Sequence, residues 1–326
     1  MSSSSRLAPE MIIEDFLILT DNGLYCRIGN FYLDPKHAVE HAVISHAHGD
    51  HAVRGNVNVY CTAASAAIIQ HRYHKQAGKN FLIYSWSDIF DLNGVKISFI
   101  PAGHILGSAQ ILLEYLGIRY LYTGDYKLQE DPTCERIEFV KADVLITETT
   151  FADPSVKHPD AVDEIIKLNA FNHNVLLGAY SLGKAQRLSR LISDHCPQRS
   201  TLVHHSIFSL NKLYESFGFS PGKYELYNRK QMKQPDQNLV YIIPPLTFNS
   251  YIRAKNVVRA FASGWMKLQM NNDLQLLISD HVDWDDIITM LKEVEPRQVW
   301  TLHGNGTYLK EHFKGKLLVK LLNNAD

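Results

Sequence analysis

Short apolar segments alternate with polar turns over the first 150 residues, a pattern that predicts β-strands. Val, Ile and Tyr dominate these segments, and Gly, Asn and Asp separate them. The predicted strands are Ala42–Ser45, Val57–Cys61, Val95–Ile100, Ile111–Tyr115, Tyr120–Tyr122 and Val144–Thr147. One helix is predicted at about Ala63–Gln76, so we expect this part of the chain to be mainly β-structure.

The pattern changes after Phe151. A strand is predicted at Val175–Tyr180, and the helix that follows it, at about Lys184–His195, has apolar residues at helical spacing. The segment Tyr224–Asn238 is polar and weakly periodic, which predicts a loop. The second part of the chain is therefore expected to alternate strands and helices.

A strand, a helix and a second strand are predicted near the end of the chain. The strands are Gln275–Ile278 and Gln298–Leu302, and the helix between them places Trp284 and other apolar residues on one face. Asp283 is positioned to cap this helix, and Pro296 lies just beyond its end.

Composition indicates a globular protein with no membrane span. The chain has 326 residues, more than one core usually holds, with 45% apolar and 21% charged residues. Apolar stretches such as Leu239–Ile243 are too short to cross a bilayer, and no apolar region of a secretory signal follows Met1–Arg6. The four cysteines are scattered: Cys26, Cys61, Cys134 and Cys196. Reduced thiols and a cytoplasmic location are therefore expected.

Charge is distributed unevenly although the net charge is only −1. Residues 152–273 contain 15 Lys and Arg against 9 Asp and Glu, a net of +6, which leaves −7 for the remainder. An acidic part that binds metals beside a basic part that attracts phosphates would explain this difference. Ordinary variation between two solvated surfaces would explain it equally well.

The most specific motif is His46-Ala-His48-Gly-Asp50-His51, directly after a predicted strand. In an extended segment, residues two apart point the same way, so His46 and His48 can reach one metal. After the turn at Gly49, Asp50 and His51 can face a second metal. Surface histidines beside a helix-capping aspartate are the alternative, which four such residues within six positions disfavour.

Three further candidate ligands follow predicted strands. They are His104, Asp125 and His303, each next to a glycine that permits a tight turn. Taken singly, each could be an ordinary loop residue. Their coincidence with the histidine cluster favours a metal site with imidazole and carboxylate ligands, which suit zinc.

These motifs together resemble the metallo-β-lactamase superfamily over nearly the whole chain. Asp34 resembles that family's early structural aspartate. Glu148 in Thr147-Glu148-Thr149, His281 in Asp280-His281-Val282, and His303 are similar to the motifs of its β-CASP branch, which processes nucleic acid. Segments around Asp125, Lys184, Trp265 and His281 resemble bacterial ligase-associated DNA exonucleases.

The resemblance implies an α/β fold, a metallo-β-lactamase αββα sandwich with an inserted β-CASP cap domain. The implied domains are residues 1–151 and 274–326 for the sandwich and 152–273 for the cap. The implied ligands of the first zinc are His46, His48, His104 and Asp125, and those of the second are Asp50, His51 and His303, with Asp125 bridging. The metals are two Zn²⁺, with Mn²⁺ as the alternative. DNA is the implied substrate and RNA the alternative, and a DNA ligase and a helicase are implied partners.

Two metal ions suit phosphodiester hydrolysis because they make a hydroxide nucleophile from water near neutral pH and stabilise charge on the phosphate. His281 is the candidate general acid for the departing oxygen. Either Glu148 or Asp283 could fix its tautomer, and the resemblance favours Glu148. Asp50 is counted among the catalytic candidates as well as the ligands.

Ser181 and Lys184 are the candidate phosphate-binding residues. They lie where a predicted strand runs into a helix, whose first turn offers free N–H groups and the positive end of the dipole. An ordinary capped helix with a solvated basic face is the alternative. Trp265 beside Lys267 could stack on bases, but a core position is the favoured expectation for this tryptophan.

The sequence therefore predicts a zinc-dependent nuclease, a DNA exonuclease in end processing or repair. An RNA-processing nuclease of the same branch is the first alternative. A small-molecule hydrolase such as a thioesterase or lactonase would need neither the inserted residues 152–273 nor His281 with Glu148. A catalytically inactive scaffold ranks last because every ligand position is filled.

Overall fold

The computed structural model of the chain describes residues 11–251 and 255–322, which form three β-sheets and the helices that cover them. The strands, in chain order, are β1 Leu17–Thr20, β2 Gly23–Cys26, β3 Phe31–Leu33, β4 His41–Val43, β5 Asn56–Cys61, β6 Gly78–Ile83, β7 Phe90–Leu92, β8 Val95–Pro101, β9 Ala109–Tyr115, β10 Ile118–Tyr122, β11 Val144–Thr149, β12 Asn174–Gly178, β13 Ser200–Val203, β14 Glu225–Leu226, β15 Leu239–Ile243, β16 Val257–Ala262, β17 Leu274–Leu276, β18 Gln298–Gly304 and β19 Leu318–Leu321. The α-helices are α1 Ala63–Tyr73, α2 Ala161–Ile165, α3 Lys184–His195, α4 His205–Ser216, α5 Arg229–Met232, α6 Pro245–Ser250, α7 Trp284–Val294 and α8 Thr307–His312.

The first two sheets face each other across the main apolar core. Strands β1 to β6 form one sheet in sequence order, and the other has the order β19-β18-β11-β10-β9-β8-β7. Phe31 and Val43 of the first sheet share a buried cluster with Phe99, Tyr120 and Trp300 of the second. Strand β18 pairs with β11 in parallel, so the end of the chain completes a sheet begun before residue 150.

Helices cover the outer faces of this sandwich. On the first sheet, Ala42 and Val59 pack with Ile68 of α1 in one buried cluster. On the second sheet, Leu145 shares a cluster with Ile287 of α7. The layers are therefore helix, sheet, sheet and helix, and the predicted αββα sandwich is confirmed.

The third sheet is parallel throughout, with the order β14-β13-β15-β12-β16-β17. Both faces are covered, one by α2 and α3 and the other by Phe248 of α6, as the near-continuous apolar strands require. The carboxyl ends of its strands all lie at one edge, which is where ligands bind in open parallel sheets. Its last strand, β17, begins just after residue 273, at which the expected cap domain ends.

Most predicted elements are confirmed within two residues at each end, and α3 has the predicted bounds. Two details differ from the predictions. The histidine cluster lies in the loop after β4, because that strand ends at Val43. The predicted loop Tyr224–Asn238 contains the short elements β14 and α5. The expectation drawn from Met1–Arg6 lies outside the described residues. No helix among the residues described is long and apolar enough to cross a membrane.

Asp283 caps α7 as predicted, since its side chain accepts a hydrogen bond from the Asp286 backbone N–H. It also accepts one from the His158 backbone N–H, at 2.9 Å. We expect Asp283→Ala to lower the free energy of unfolding by about 0.5–2 kcal/mol, the usual cost of losing a cap. The measurement is urea unfolding, with Asp285→Ala as control because Asp285 lies in the same first turn and forms only an exposed ion pair. Equal unfolding midpoints for the two variants would contradict the capping role.

Candidate metal centre

Three histidines place one ring nitrogen each around a common point. His46 Nε2 lies 3.0 Å from His48 Nδ1, and His104 Nε2 lies 3.1 Å from the same atom. Asp125 Oδ2 is 3.7 Å from His46 Nε2 and 3.8 Å from His104 Nε2. The structure thus brings together the four predicted ligands of the first metal, from the loops after β4, β8 and β10.

Hydrogen bonds at the opposite ring nitrogens fix the tautomers of these histidines. His48 Nε2–H donates to the Leu182 carbonyl at 3.1 Å, and His104 Nδ1–H donates to the Asp280 carbonyl at 2.8 Å. His46 Nδ1 lies 3.0 Å from Ser45 Oγ, whose own proton goes to the Asp34 carboxylate. Since a neutral imidazole has one N–H and one lone pair, all three converging nitrogens carry lone pairs.

Lone pairs that face each other repel unless a cation lies between them. Burial lowers the pKa of His46 and His104 well below the usual value, and lowers that of His48, so the rings are neutral at pH 7. Neutral imidazole is the form that binds metal ions. The donor set of three imidazoles and a carboxylate therefore fits a divalent ion such as zinc.

The predicted ligands of the second metal are less closely grouped than those of the first. His51 Nδ1–H donates to Asp34 Oδ2 at 2.8 Å, which leaves His51 Nε2 facing Asp125 Oδ2 at 3.4 Å. Asp50 Oδ2 lies 3.9 Å from His51 Nε2 on a side chain that is 81% exposed. The ring centroids of His51 and His303 are 5.5 Å apart. The structure thus places Asp125 between the two sets, with Asp50 and His303 at the rim of the second.

His303 occupies an irregular position in β18. The register of β18 against β11 shifts between Glu148 and Thr149, so His303 is the extra residue of a β-bulge. Its φ is +50°, in the left-handed region that β-strand residues rarely adopt. A bulge re-aims a side chain at a sheet edge, which is consistent with a residue directed at the cluster.

Asp34 orients ligands of both sets through hydrogen bonds. Its carboxylate accepts hydrogen bonds from the Ser45 backbone N–H at 2.7 Å, the Ser45 hydroxyl, the Tyr122 hydroxyl at 2.9 Å, and His51. Partners of this kind fix the orientation of metal ligands. Gly124 has a φ of +55°, and a Cβ there would lie 2.7 Å from Ser45, so glycine allows the Asp125 loop to approach β4 closely.

His281 is bound to a buried carboxylate beside the cluster. Its Nδ1–H donates to Glu148 Oε2 at 2.9 Å and lies 3.8 Å from Asp125 Oδ2. Glu148 also accepts hydrogen bonds from the Tyr126 N–H and the Thr150 hydroxyl. Burial would lower the pKa of His281, but Glu148 and Asp125 outweigh burial and raise it to about 9. Of the two carboxylates considered from sequence, Glu148 contacts His281, and Asp283 caps α7 instead.

A buried network of ion pairs lies beside the histidine cluster, and Lys184 is part of it. The Lys184 ammonium donates to the Ile278 carbonyl at 2.5 Å and pairs with Asp280 at 3.1 Å. Arg187 pairs with Asp280 at 3.2 Å. Gly183 N–H donates to the Gln186 side chain, and the N–H groups of Lys184 and Ala185 donate to the carbonyls of Leu182 and Tyr180.

These contacts correct the prediction that Lys184 binds phosphate. Its ammonium and its backbone N–H are both hydrogen-bonded within the protein. Burial also lowers the pKa of Lys184 to about 8, although Asp280 opposes the effect. Ser181 lines the cleft and stays a predicted phosphate contact. Arg72, which sequence reasoning missed, lines the same cleft and reaches the Ala47 carbonyl in the histidine motif.

The cleft above the cluster has a volume of about 530 Å³ and is bounded by both the sandwich and the third sheet. His48, Asp50 and His281 line it, as do the aromatic residues Tyr180 and Trp265. The expectation of a core position for Trp265 is wrong, because its side chain is 50% exposed.

Comparisons with known proteins agree with this fold. No family model matches the chain. Over 302 residues, 88% of the chain, it is 30% identical to a protein of Opitutus terrae named probable DNA ligase, and it spans 29% of that relative's length. It is 31% identical over 131 residues, 37% of the chain and 16% of the relative, to cleavage and polyadenylation specificity factor subunit 3 of Dictyostelium discoideum. Endoribonuclease YSH1 of Saccharomyces cerevisiae is 32% identical over 119 residues, 34% of the chain and 15% of the relative.

A solved structure shares the architecture at 14% identity. It is a protein of unknown function from Enterococcus faecalis V583, with a TM-score of 0.62 over 89% of this chain and 80% of that one. The αββα layers and the histidine cluster at their edge define a protein of the metallo-β-lactamase fold. Within that class, the chain is similar to members of the β-CASP branch.

We expect Asp125→Ala to lose bound metal at both positions, because its carboxylate faces both sets of ligands. Asp50→Ala is the comparison variant, since Asp50 approaches only the second set and should retain one ion per chain. Elemental analysis of dialysed protein gives the metal content, and thermal melting shows whether each variant is folded. Full metal content in folded Asp125→Ala protein would defeat the assignment of a shared ligand.

Proposed function

We propose that the chain is a metal-dependent phosphodiesterase that hydrolyses nucleic acid. The observation that supports this most is the meeting of two different groups in one cleft. A lone-pair cluster that fits divalent ions lies beside His281, whose Nδ1–H is bound to Glu148. Phosphodiester cleavage needs both an electrophile at the phosphate and a proton donor for the departing oxygen.

Two ions, Zn²⁺ or alternatively Mn²⁺, would activate water at neutral pH and offset the charge of the phosphate when bound. We assign the first to His46, His48, His104 and Asp125. We assign the second to Asp50, His51 and His303, with Asp125 shared. Asp34 and Ser45 fix the tautomers of His46 and His51, one ligand of each position.

His281 is assigned as the general acid. Because its Nδ1–H is bound to Glu148, its Nε2–H is the proton available to a departing sugar oxygen in the cleft. Glu148 acts through His281 as a positioning residue, and its other hydrogen bonds, to the Tyr126 N–H and the Thr150 hydroxyl, hold it in place. Ser181, which also lines the cleft, is assigned to the phosphate.

DNA is the proposed substrate. The relatives include one protein named for DNA and one named for RNA. The relative named a probable DNA ligase matches 88% of the chain, a share too large to leave out the third sheet entirely. The relative named an endoribonuclease in Saccharomyces cerevisiae matches 34%. We give more weight to the longer match, because substrate choice depends on the whole cleft. By the same reasoning we propose a DNA exonuclease that works beside a DNA ligase in end processing, and we propose a helicase partner from the resemblance of the motifs alone.

Residues 152–273, which include every strand of the third sheet except β17, are proposed to be the cap domain, and they carry a net charge of +6. A net positive charge on this domain would attract a polyanion. A cytoplasmic location is proposed because the four cysteines are free and buried.

We expect His281→Ala to retain its metal and to lose about 10²–10⁴-fold in kcat on an oligonucleotide, the usual contribution of a general acid. A nitrophenyl phosphodiester should suffer a smaller loss, because nitrophenolate leaves without protonation. The measurements are kcat on both substrates and metal content. His173→Ala, at an exposed histidine, serves as control. A similar loss on both substrates would argue against proton donation.

We expect a DNA oligonucleotide to be cut with a higher kcat/KM than an RNA of the same length and sequence. The comparison is made at one metal and salt concentration, since salt alone changes nucleic-acid affinity steeply. End-labelled strands analysed as product ladders also reveal whether cutting starts from an end. Faster cutting of RNA would overturn the DNA assignment while leaving the phosphodiesterase intact, and internal cuts would overturn the exonuclease assignment.

A further inference from the structure

Two aromatic side chains that line the cleft are largely exposed. Trp265 is 50% exposed and Tyr180 is 57% exposed, and both line the cleft that contains His281. Large aromatic rings are normally buried, since each contributes substantial apolar area to a core. Two exposed aromatic rings in a cleft that also contains the catalytic groups therefore indicate a ligand with an apolar face.

The loop that carries Trp265 is firmly anchored. The buried side chain of Gln269 donates to the Phe261 carbonyl at 2.9 Å and accepts from the Leu276 N–H at 3.1 Å. The backbone N–H of Trp265 donates to Ser263 Oγ at 3.1 Å. A Cβ at Gly264 would lie 2.8 Å from Ser279 Oγ, so the loop is packed directly against the segment that leads to His281. The backbone that carries the exposed indole is thus held in place.

Phe151 connects Trp265 to the catalytic groups. The ring centroids of Phe151 and Trp265 are 4.6 Å apart, and those of Phe151 and His281 are 6.3 Å apart. The ring centroids of Trp265 and His281 are therefore separated by at most the sum of these two distances. One nucleotide spans such a distance between its phosphate and its base. A phosphate beside His281 would therefore bring its own nucleobase to Trp265.

We propose that Trp265, with Tyr180, which lines the same cleft, is a base-stacking subsite for the nucleotide at the reaction centre. The inference rests on the proposed phosphodiesterase function and adds the part of the substrate that the metal site does not contact. Every base has a π-face, so this subsite holds a nucleobase without selecting its sequence. It requires an unstacked base, and hence a single-stranded or frayed end.

The test compares two strands of equal length and label, one with normal bases and one abasic at every position, in the sugar that the enzyme cuts faster. Both strands offer the same phosphates to the metal site. In the wild type, kcat/KM on the normal strand should exceed that on the abasic strand by roughly tenfold to a hundredfold. Trp265→Ala should remove this preference by slowing the normal strand only, and Trp265→Phe should retain most of it.

Phe217→Ala is the matched control, an exposed aromatic outside the residues that line the cleft, and it should keep the wild-type preference. Metal content is measured for each variant to show that the catalytic centre is intact. Tryptophan fluorescence gives an independent readout: the normal strand should quench emission in the wild type but not in Trp265→Ala protein.

The outcomes separate the two proposals. If the wild type cuts normal and abasic strands equally, or Trp265→Ala slows both equally, the stacking subsite is wrong and the phosphodiesterase stands. If the wild type cuts neither strand with metal bound, the proposed function fails, and the subsite fails with it.

Discussion

Three converging lone pairs, on His46 Nε2, His48 Nδ1 and His104 Nε2, are the constraint on which the rest of the structure depends. Each ring is fixed in this tautomer by a hydrogen bond at its other nitrogen. Burial keeps the rings neutral, so protons do not relieve the repulsion at neutral pH. A protein that builds such a cluster gains from it only when a cation lies at its centre.

The partners that fix the cluster come from distant parts of the chain. Ser45 is adjacent to His46, but the carbonyl that holds His48 belongs to Leu182, and the one that holds His104 belongs to Asp280. Leu182 precedes α3, and Asp280 pairs with Lys184 and Arg187 of the same helix. The third sheet therefore does more than cover the cleft: its helix α3 fixes the ligand geometry of the sandwich. Metal binding and the placement of the third sheet should be mutually dependent.

The sequence predicted what local patterns determine. Six residues after an apolar strand revealed the histidine cluster, and strand-end positions added His104 and Asp125. Periodicity fixed the bounds of α3, and Asp283 was identified as the cap of α7 by position alone. The layered sandwich followed from the resemblance of these motifs, and the sheet pairing agrees with it.

Long-range contacts could not be predicted in the same way. The choice between Glu148 and Asp283 as partner of His281 depends on how β11 approaches a loop 133 residues later. Lys184 has the position of a phosphate ligand in sequence, and only the fold shows that Asp280 neutralises it. Trp265 was misassigned to the core because hydrophobicity predicts burial, whereas this indole lies at the edge of a sheet whose strand ends form a cleft.

Anomalous diffraction at the zinc absorption edge, from crystals of zinc-loaded protein, tests the central claim most directly. The account predicts one peak within about 2.0–2.1 Å of His46 Nε2, His48 Nδ1 and His104 Nε2, the distance expected for zinc bound to imidazole. It predicts a second peak beside His51, on the other side of Asp125. Crystals in which zinc occupies other residues, while the three histidine nitrogens face each other with no ion between them, would contradict it.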